Sequence, residues 1–503
     1  MTETLIKNKI ILKILDNYKS IWSLGHLTSL GNWDLNTYMP PEGVEARGMA
    51  LGKTAVLSQR LFLDKKFVSS IKKASLQTGL NDYEKGVVRV LKHFLNFYQK
   101  LPPKFIEEFS KVTTEGFVAW KNAKEKNKFS IFEPYLSRIV ELSRKKTEYL
   151  GYKKHPYDAL LDEYEEGLTT NEVEKYFNEI KKPLINLLNY VKNSKKYKTK
   201  HELEYIRYET ARMENFNRKI LKLLHYNMNH IRMDVSPHPF MTMIGKGDVR
   251  ITTRYEGKDF AESYGSTLHE YGHALYDLQS REELHYTPIA GGSSLIMHES
   301  QSRFWENFIG KSKEFLKLIY KDIIEINPKF RKYSVEEVYR YMNLVKPGLI
   351  RVEADELTYH FHVMIRFEIE KALIEGKINV RELPQFWNRK YQEYLGLKVP
   401  DYSSGVLQDV HWSNGNVGYF PTYSLGTILS TMWKYKLEKN VDKISELVKN
   451  TTGVRKIQDW LRKHVHQYGS TFVFKELVKK TCGEDFNSRY FIEYLNRKYK
   501  ELY

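Results

Sequence analysis

From Lys7 to about residue 225, apolar residues recur three and four positions apart with charged and polar residues between them, the spacing of one face of an α-helix. Breakers such as Asn81-Asp82 and Pro102-Pro103 interrupt the pattern at short intervals, which predicts helix after helix joined by short links. Thr169, followed three residues later by Glu172, has the form of a capping box and predicts a helix start there. Between His238 and Tyr255 the period changes: Gly245 and Gly247 precede an alternation of Val249, Ile251 and Thr253 with Arg250, Thr252 and Arg254, which predicts a small hairpin or a single strand. Helical spacing resumes at Ser263 and runs to the C-terminus, with breaks near Pro288 to Gly292 and at Pro347-Gly348. There is no internal repeat, no low-complexity tract and no Gly/Ser linker, and β-rich segments are too few for a central parallel sheet. The predicted fold class is mainly α with a small β element.

Composition narrows the possible functions. A hydrophobic fraction of 41% and an aromatic fraction of 14% give ample surface for a large core, which excludes a disordered chain. The net charge of +18 raises the possibility of a nucleic-acid partner. The basic residues, however, come in short scattered runs such as Lys65-Lys66, Arg144-Lys145-Lys146 and Lys195-Lys196, so they read as solvated helix faces and no nucleic-acid partner is expected. Abundant Lys and Glu also suit a protein from a hot environment. Cys482 is the only cysteine, which excludes an intramolecular disulfide framework and a metal held by a cysteine cluster, and fits a cytoplasmic protein. The N-terminus mixes charged and apolar residues at helical spacing without a signal-peptide pattern, and no run approaches the roughly 18 apolar residues of a membrane span, so no membrane partner is expected.

The chemistry concentrates in His269-Glu270-Tyr271-Gly272-His273, set in a helical pattern. Residues four apart share a helix face, so both imidazoles can address one ion while Glu270 lies beside them. Two solvent-facing histidines on an ordinary amphipathic helix are the plain alternative. Support comes from a second helical run that follows the loop at Gly291 to Ser294 and carries Glu299, 26 residues beyond His273. That is enough chain to turn back and deliver a carboxylate as third ligand, completing a His₂Glu site that leaves one position for water. His298 and Glu306 compete with Glu299 for this role. In this reading Glu270 is the general base that activates a metal-bound water and passes its proton to the leaving amine.

These residues, and others along nearly the whole chain, resemble the thermostable metal-dependent carboxypeptidases typified by carboxypeptidase Taq. The opening signature is Trp33-Asp34 with Tyr38-Met39-Pro40-Pro41 and Glu45-Ala46-Arg47, and a second is Leu150-Gly151-Tyr152 with His155-Pro156-Tyr157-Asp158. Then come, in order, His238-Pro239-Phe240, Asp248 to Thr252, His269 to His273, His298 to Gln301, Ile350 to Asp355, and Gly405 to Trp412. The resemblance implies a single catalytic domain over 1–503, with two lobes around a long deep groove as in the neurolysin and angiotensin-converting-enzyme group. Within it, residues of about 1–225 form an N-terminal helical region, about 226–430 the metal-site region, and about 431–503 the C-terminal helices. It further implies a homodimer, Zn²⁺ with Co²⁺ as the alternative, and release of C-terminal residues with broad specificity, slowed where proline is involved.

Chain-end specificity requires a cation that receives the free carboxylate of the peptide substrate, and the planar fork of arginine suits this task. Arg351 is the first candidate and Arg250 the second, each weighed against an ordinary ion pair. His411 and Tyr423 are candidates to stabilise the oxyanion or bind the terminal carboxylate. Asp355 and Asp409 could orient ligand imidazoles or cap helices, and His238 is expected to support the groove or touch substrate. Two rival readings remain: an oligopeptidase that cuts internal bonds, and a basic nucleic-acid- or peptide-binding protein whose metal is structural.

Overall fold

The computed structural model describes residues 5–503; the first four residues of the N-terminal segment, and the side chains of Val44 and of Pro41 in the opening signature, lie outside what is described. The fold is mainly α with one small sheet, as the periodicity predicts. Among the described residues no helix is long and apolar enough to cross a membrane. The chain forms two compact units. The first takes the chain up to Gln99, then His201–Met342 and Met432–Phe486, and the second comprises Lys100–Lys200, Asn343–Thr431 and Asn487–Tyr503.

In the first unit the long helix Lys9–Thr37 starts at Asn8, whose side-chain oxygen accepts from the backbone N–H groups of Ile10 and Ile11. Its Ile11, Ile14, Leu15 and Ile21 form one stripe. They are buried with Phe67 and Ile71 of the helix Lys65–Ala74 and with Val87 and Leu91 of the helix Asp82–Lys100. Each such side chain removed from water stabilises the unit by roughly 1.5–3 kcal/mol, which explains why the apolar spacing was so regular there.

The same unit holds the sheet: β1 (Ile231–Val235), β2 (Met241–Gly245) and β3 (Asp248–Thr253), in the order β1-β3-β2. β2 and β3 make the expected hairpin, turning through Gly247 at φ 73°. β1 is an addition the periodicity reading did not make; it pairs parallel to β3. Its alternation of Ile231, Met233 and Val235 spans only five residues, too short to stand out from its polar flanks. Val249 and Ile251 are fully buried, and the Thr253 hydroxyl bonds the Ser263 carbonyl at 3.2 Å, tying the end of β3 to the helix Phe260–Leu278.

That helix begins three residues before the predicted Ser263 and carries both histidines of interest. The helix Leu295–Arg303 lies against it and continues as a π-helical stretch, Phe304–Gly310. Gly272 is what allows their contact: a Cβ there would sit 2.5 Å from the Gln301 carbonyl oxygen and 2.7 Å from the Ser302 Cα, both backbone atoms. A residue without a side chain therefore stands where two helix backbones come closest.

In the second unit the helix Thr170–Lys192 opens with the predicted capping box of Thr169 and Glu172. The helix Tyr359–Glu375 is buried nearly all round, so it shows no apolar stripe and its charged members need internal partners. Asp355 braces the turn that leads into it by accepting from the backbone N–H groups of Leu357 and Thr358 and from the Thr358 hydroxyl. This contact is closer to the capping role considered for Asp355 than to the other.

Candidate active site

On the helix Phe260–Leu278, His269 and His273 point the same way, and Glu299 of the helix Leu295–Arg303 faces both. Its Oε2 is 3.6 Å from His269 Nε2 and 3.8 Å from His273 Nε2. One donor atom from each of the three residues lies within 4.8 Å of the others. Three donors held tetrahedrally about 2.1 Å from one ion would stand roughly 3.4 Å apart, and the two glutamate–histidine separations lie within a few tenths of an ångström of that, so the cluster fits a divalent cation. Neutral imidazole nitrogens and a carboxylate oxygen are the donor types of a zinc site that leaves one position open.

The competitors for the third position are engaged elsewhere. Glu306 Oε2 lies 3.1 Å from His269 Nδ1, the nitrogen turned away from the cluster. His298 Nε2 lies 3.6 Å from Asp277 Oδ1, and Asp277 in turn accepts from the Gly292 N–H at 2.5 Å. Arg303, which sequence reasoning did not single out, donates from Nε to Glu299 Oε1 at 2.6 Å and from Nη1 to Glu306 Oε2 at 3.0 Å. Glu299, Arg303 and Glu306 follow one another at helical spacing of four and three. An acid-base-acid stripe beginning at the candidate ligand was the signal that could have found Arg303.

Electrostatics separate the roles. Burial pushes the Glu270 carboxyl up to about 7; His269 and Arg303 oppose this and Glu299 and Glu306 reinforce it. His273 is held well below the usual imidazole range by burial and by the neighbouring His269, His298 and Arg303. His269 goes the other way: burial works against its charge, but Glu299 and the hydrogen bond with Glu306 outweigh it and raise the pKa. Glu306 is held well below the carboxylate range in spite of burial, by Lys311, Arg303 and His269. One acid beside the cluster is therefore poised near neutrality while the acid behind it stays ionised, a separation that marks candidate acid-base sites.

The other residues predicted for the site fall into two groups. In the first unit, Arg250 on β3 is forked onto Asp248 with two 2.8 Å hydrogen bonds and lies over the Trp33 ring, and His238 is exposed in the loop between β1 and β2. In the second unit, Arg351 is buried; its Nε donates to Asp409 Oδ1 at 2.9 Å and its Nη1 to the Tyr359 hydroxyl at 3.2 Å. His411 Nε2 lies 3.2 Å from the Tyr423 hydroxyl, and Arg351 rests over the Tyr423 ring.

Asp409 takes neither of the roles considered for it. It bridges two arginines, Arg351 and the fully buried Arg366, whose Nε donates to Oδ2 at 2.7 Å. Burial opposes its charge, but the two guanidinium groups hold its carboxyl far below the usual range. Arg366 also bonds Gln408 and the His362 carbonyl and stacks over Trp387. No motif marks Arg366 in the sequence; a lone arginine in the apolar run Val363-Met364-Ile365-Arg366-Phe367 is the available signal.

Comparison with known proteins identifies the family. The carboxypeptidase Taq (M32) metallopeptidase family matches residues 13–499. Thermostable carboxypeptidase 1 of Pyrococcus furiosus is 46% identical over 498 residues, which span 99% of this chain and 100% of that protein. Carboxypeptidase 1 of Bacillus subtilis is 36% identical over 500 residues, 98% of each chain. The solved structure of Pyrococcus furiosus carboxypeptidase superposes with a TM-score of 0.96 over 98% of this chain and 100% of that one. Metallocarboxypeptidase 1 of Trypanosoma cruzi, at 31% identity, superposes with a TM-score of 0.92 over 98% and 99%. A match of this length, on a chain that gathers two histidines and a glutamate around one point, makes it a divalent-metal-dependent carboxypeptidase of the carboxypeptidase Taq (M32) metallopeptidase family.

Proposed function

We propose that this enzyme releases single amino acids from the free C-terminus of peptides, with broad tolerance for the residue removed. One Zn²⁺ per subunit, or Co²⁺ in its place, would be held by His269, His273 and Glu299, with Glu270 as general base. The observation that carries the reading is the convergence of those three donor atoms beside a buried carboxyl poised near pH 7. When bound, the ion supplies Lewis acidity, polarising the scissile carbonyl and lowering the pKa of water. Glu270 accepts the proton of the attacking water and returns it to the leaving amine, a transfer efficient for a group whose pKa lies near the working pH.

For the substrate's terminal carboxylate we favour Arg351 over Arg250. The Arg250 fork is already filled by Asp248, whereas Arg351 uses Nε and Nη1 internally and keeps Nη2 without a hydrogen bond among the described residues. His411 and Tyr423 are hydrogen-bond donors suited to a developing oxyanion or to that carboxylate, and exposed His238 is open to substrate contact. A homodimer in the cytoplasm completes the reading; the single cysteine supports the compartment.

The test pairs metal analysis with products. An N-blocked dipeptide should yield one free amino acid, and its C-terminal amide should resist. Rapid cleavage of the amide would instead make the enzyme an oligopeptidase.

A further inference from the structure

The stripe formed by Glu299, Arg303 and Glu306 does more than pair opposite charges. The Glu306 side chain is 13% exposed and its two oxygens are divided: Oε1 accepts from Lys311 Nζ at 2.8 Å, while Oε2 faces both Arg303 Nη1 at 3.0 Å and His269 Nδ1 at 3.1 Å. Lys311 is itself fixed by Asn307 Oδ1 at 3.1 Å, so the carboxylate has little freedom to turn. A carboxylate that already accepts from Lys311 and Arg303 faces Nδ1 as an acceptor, so that nitrogen carries the proton and Nε2 of His269 keeps the lone pair, the nitrogen 3.6 Å from Glu299 Oε2. Glu299 is divided in the same manner. Its Oε1 is taken by Arg303 Nε at 2.6 Å, and its Oε2, which also accepts from the Ser302 hydroxyl at 3.2 Å, is the atom aimed at the two histidines.

We propose that Glu306 and Arg303 are positioning residues of the metal centre: Glu306 fixes the tautomer and ring orientation of His269, and Arg303 occupies one oxygen of Glu299 so that the carboxylate binds the ion through the other alone. The inference rests on the assignment of His269, His273 and Glu299 as ligands made above. Its physical content is pre-organisation. A carboxylate free to bind through both oxygens would fill a fourth position on the ion, and an imidazole free to rotate would offer the wrong nitrogen in part of its population. With Lys311 included, two positive side chains stand against the two carboxylates, so the arrangement orients the ligands while balancing charge around the ion.

The test uses the full chain stripped of metal and measures Zn²⁺ affinity by competition with a chelator, and Co²⁺ coordination from its visible absorption. Glu306→Gln and Glu306→Ala should weaken Zn²⁺ binding by about 10- to 100-fold, the range lost when an outer partner of a ligand histidine is removed. Arg303→Met should turn the intense Co²⁺ spectrum of a four-coordinate site into the weaker one of a five-coordinate site, as Glu299 gains its second oxygen. Glu306→Asp, which keeps the charge but withdraws it by one methylene, should fall between wild type and Glu306→Ala, and it serves if the other variants do not fold. Zinc affinities within twofold of wild type for all the Glu306 variants would overturn the role of Glu306. An unchanged Co²⁺ spectrum in Arg303→Met would overturn that of Arg303. A wild-type chain that binds neither ion would instead overturn the ligand assignment itself, so the two failures are distinguishable.

Discussion

Asp409→Asn should destabilise the second unit by about 3–5 kcal/mol, the range for breaking a buried ion pair by removing one partner. The substitution is nearly isosteric, so it isolates charge from cavity formation. In the wild type, Asp409 Oδ1 accepts from Arg351 Nε at 2.9 Å, and Oδ2 accepts from Arg366 Nε at 2.7 Å. An asparagine has one oxygen to offer, so its amide N–H₂ must face the other guanidinium, donor against donor. Neither arginine can turn to water, with Arg366 0% and Arg351 6% exposed. A lost charge-assisted hydrogen bond costs about 1.5–3 kcal/mol, and the guanidinium left uncompensated adds to that. Equilibrium urea unfolding of the full chain, followed by tryptophan fluorescence, reads the difference; Trp387, under Arg366, is a local reporter.

The pH dependence supplies the sharper check. Asp409 is held far below its unfolded value by the two arginines, so its contribution is present above the unfolded carboxylate pKa, about 4, and is lost as pH falls towards the folded one. The gap between wild type and Asp409→Asn should therefore be flat from pH 8 to 5 and shrink below about 4. A gap under 1 kcal/mol at pH 7, or one that widens with acid, would refute the reasoning.

Glu270→Gln should lower kcat/KM by about 10²–10⁴ while metal content stays at the wild-type level, read by steady-state kinetics beside elemental analysis. Gly272→Ala should cost about 1–3 kcal/mol in denaturant unfolding and weaken metal binding, because the new methyl would meet backbone of the Glu299 helix at 2.5 Å. Glu370 is fully buried, and burial pushes its carboxyl from 4.5 up to about 7 despite the hydrogen bonds of Tyr157, Trp412 and Gly418. Its raised pKa means stability present below 4.5 and lost as pH rises through 7, so wild type should gain about 3 kcal/mol on Glu370→Gln between pH 8 and pH 4, measured by unfolding midpoints. Thr169→Ala should cost about 1 kcal/mol in the same assay through loss of the cap on the helix Thr170–Lys192.

What the sequence made legible follows from how far each interaction reaches. The histidine pair and the Thr169 cap are set within one or two helical turns, so spacing along the chain specified them and the folded positions agree. Glu299 needed one further step, that a chain of 26 residues could turn back, and Gly272 is the reason it comes close enough to matter. The partners of Asp409 could not be read this way. Arg351 and Arg366 reach it across 58 and 43 residues of chain, and no local period connects an arginine in an apolar helix to an aspartate in a later loop. Yet the arginine itself was a legible anomaly: Arg366 sits in a helix buried nearly all round, and a guanidinium there cannot be left unpaired, since its desolvation alone would exceed what the surrounding apolar contacts return. An acid must therefore exist somewhere for it. The sequence states that demand and the fold alone identifies Asp409 as the answer, which is why a buried charge in an apolar run is best taken as a request for a distant partner before its neighbours are searched.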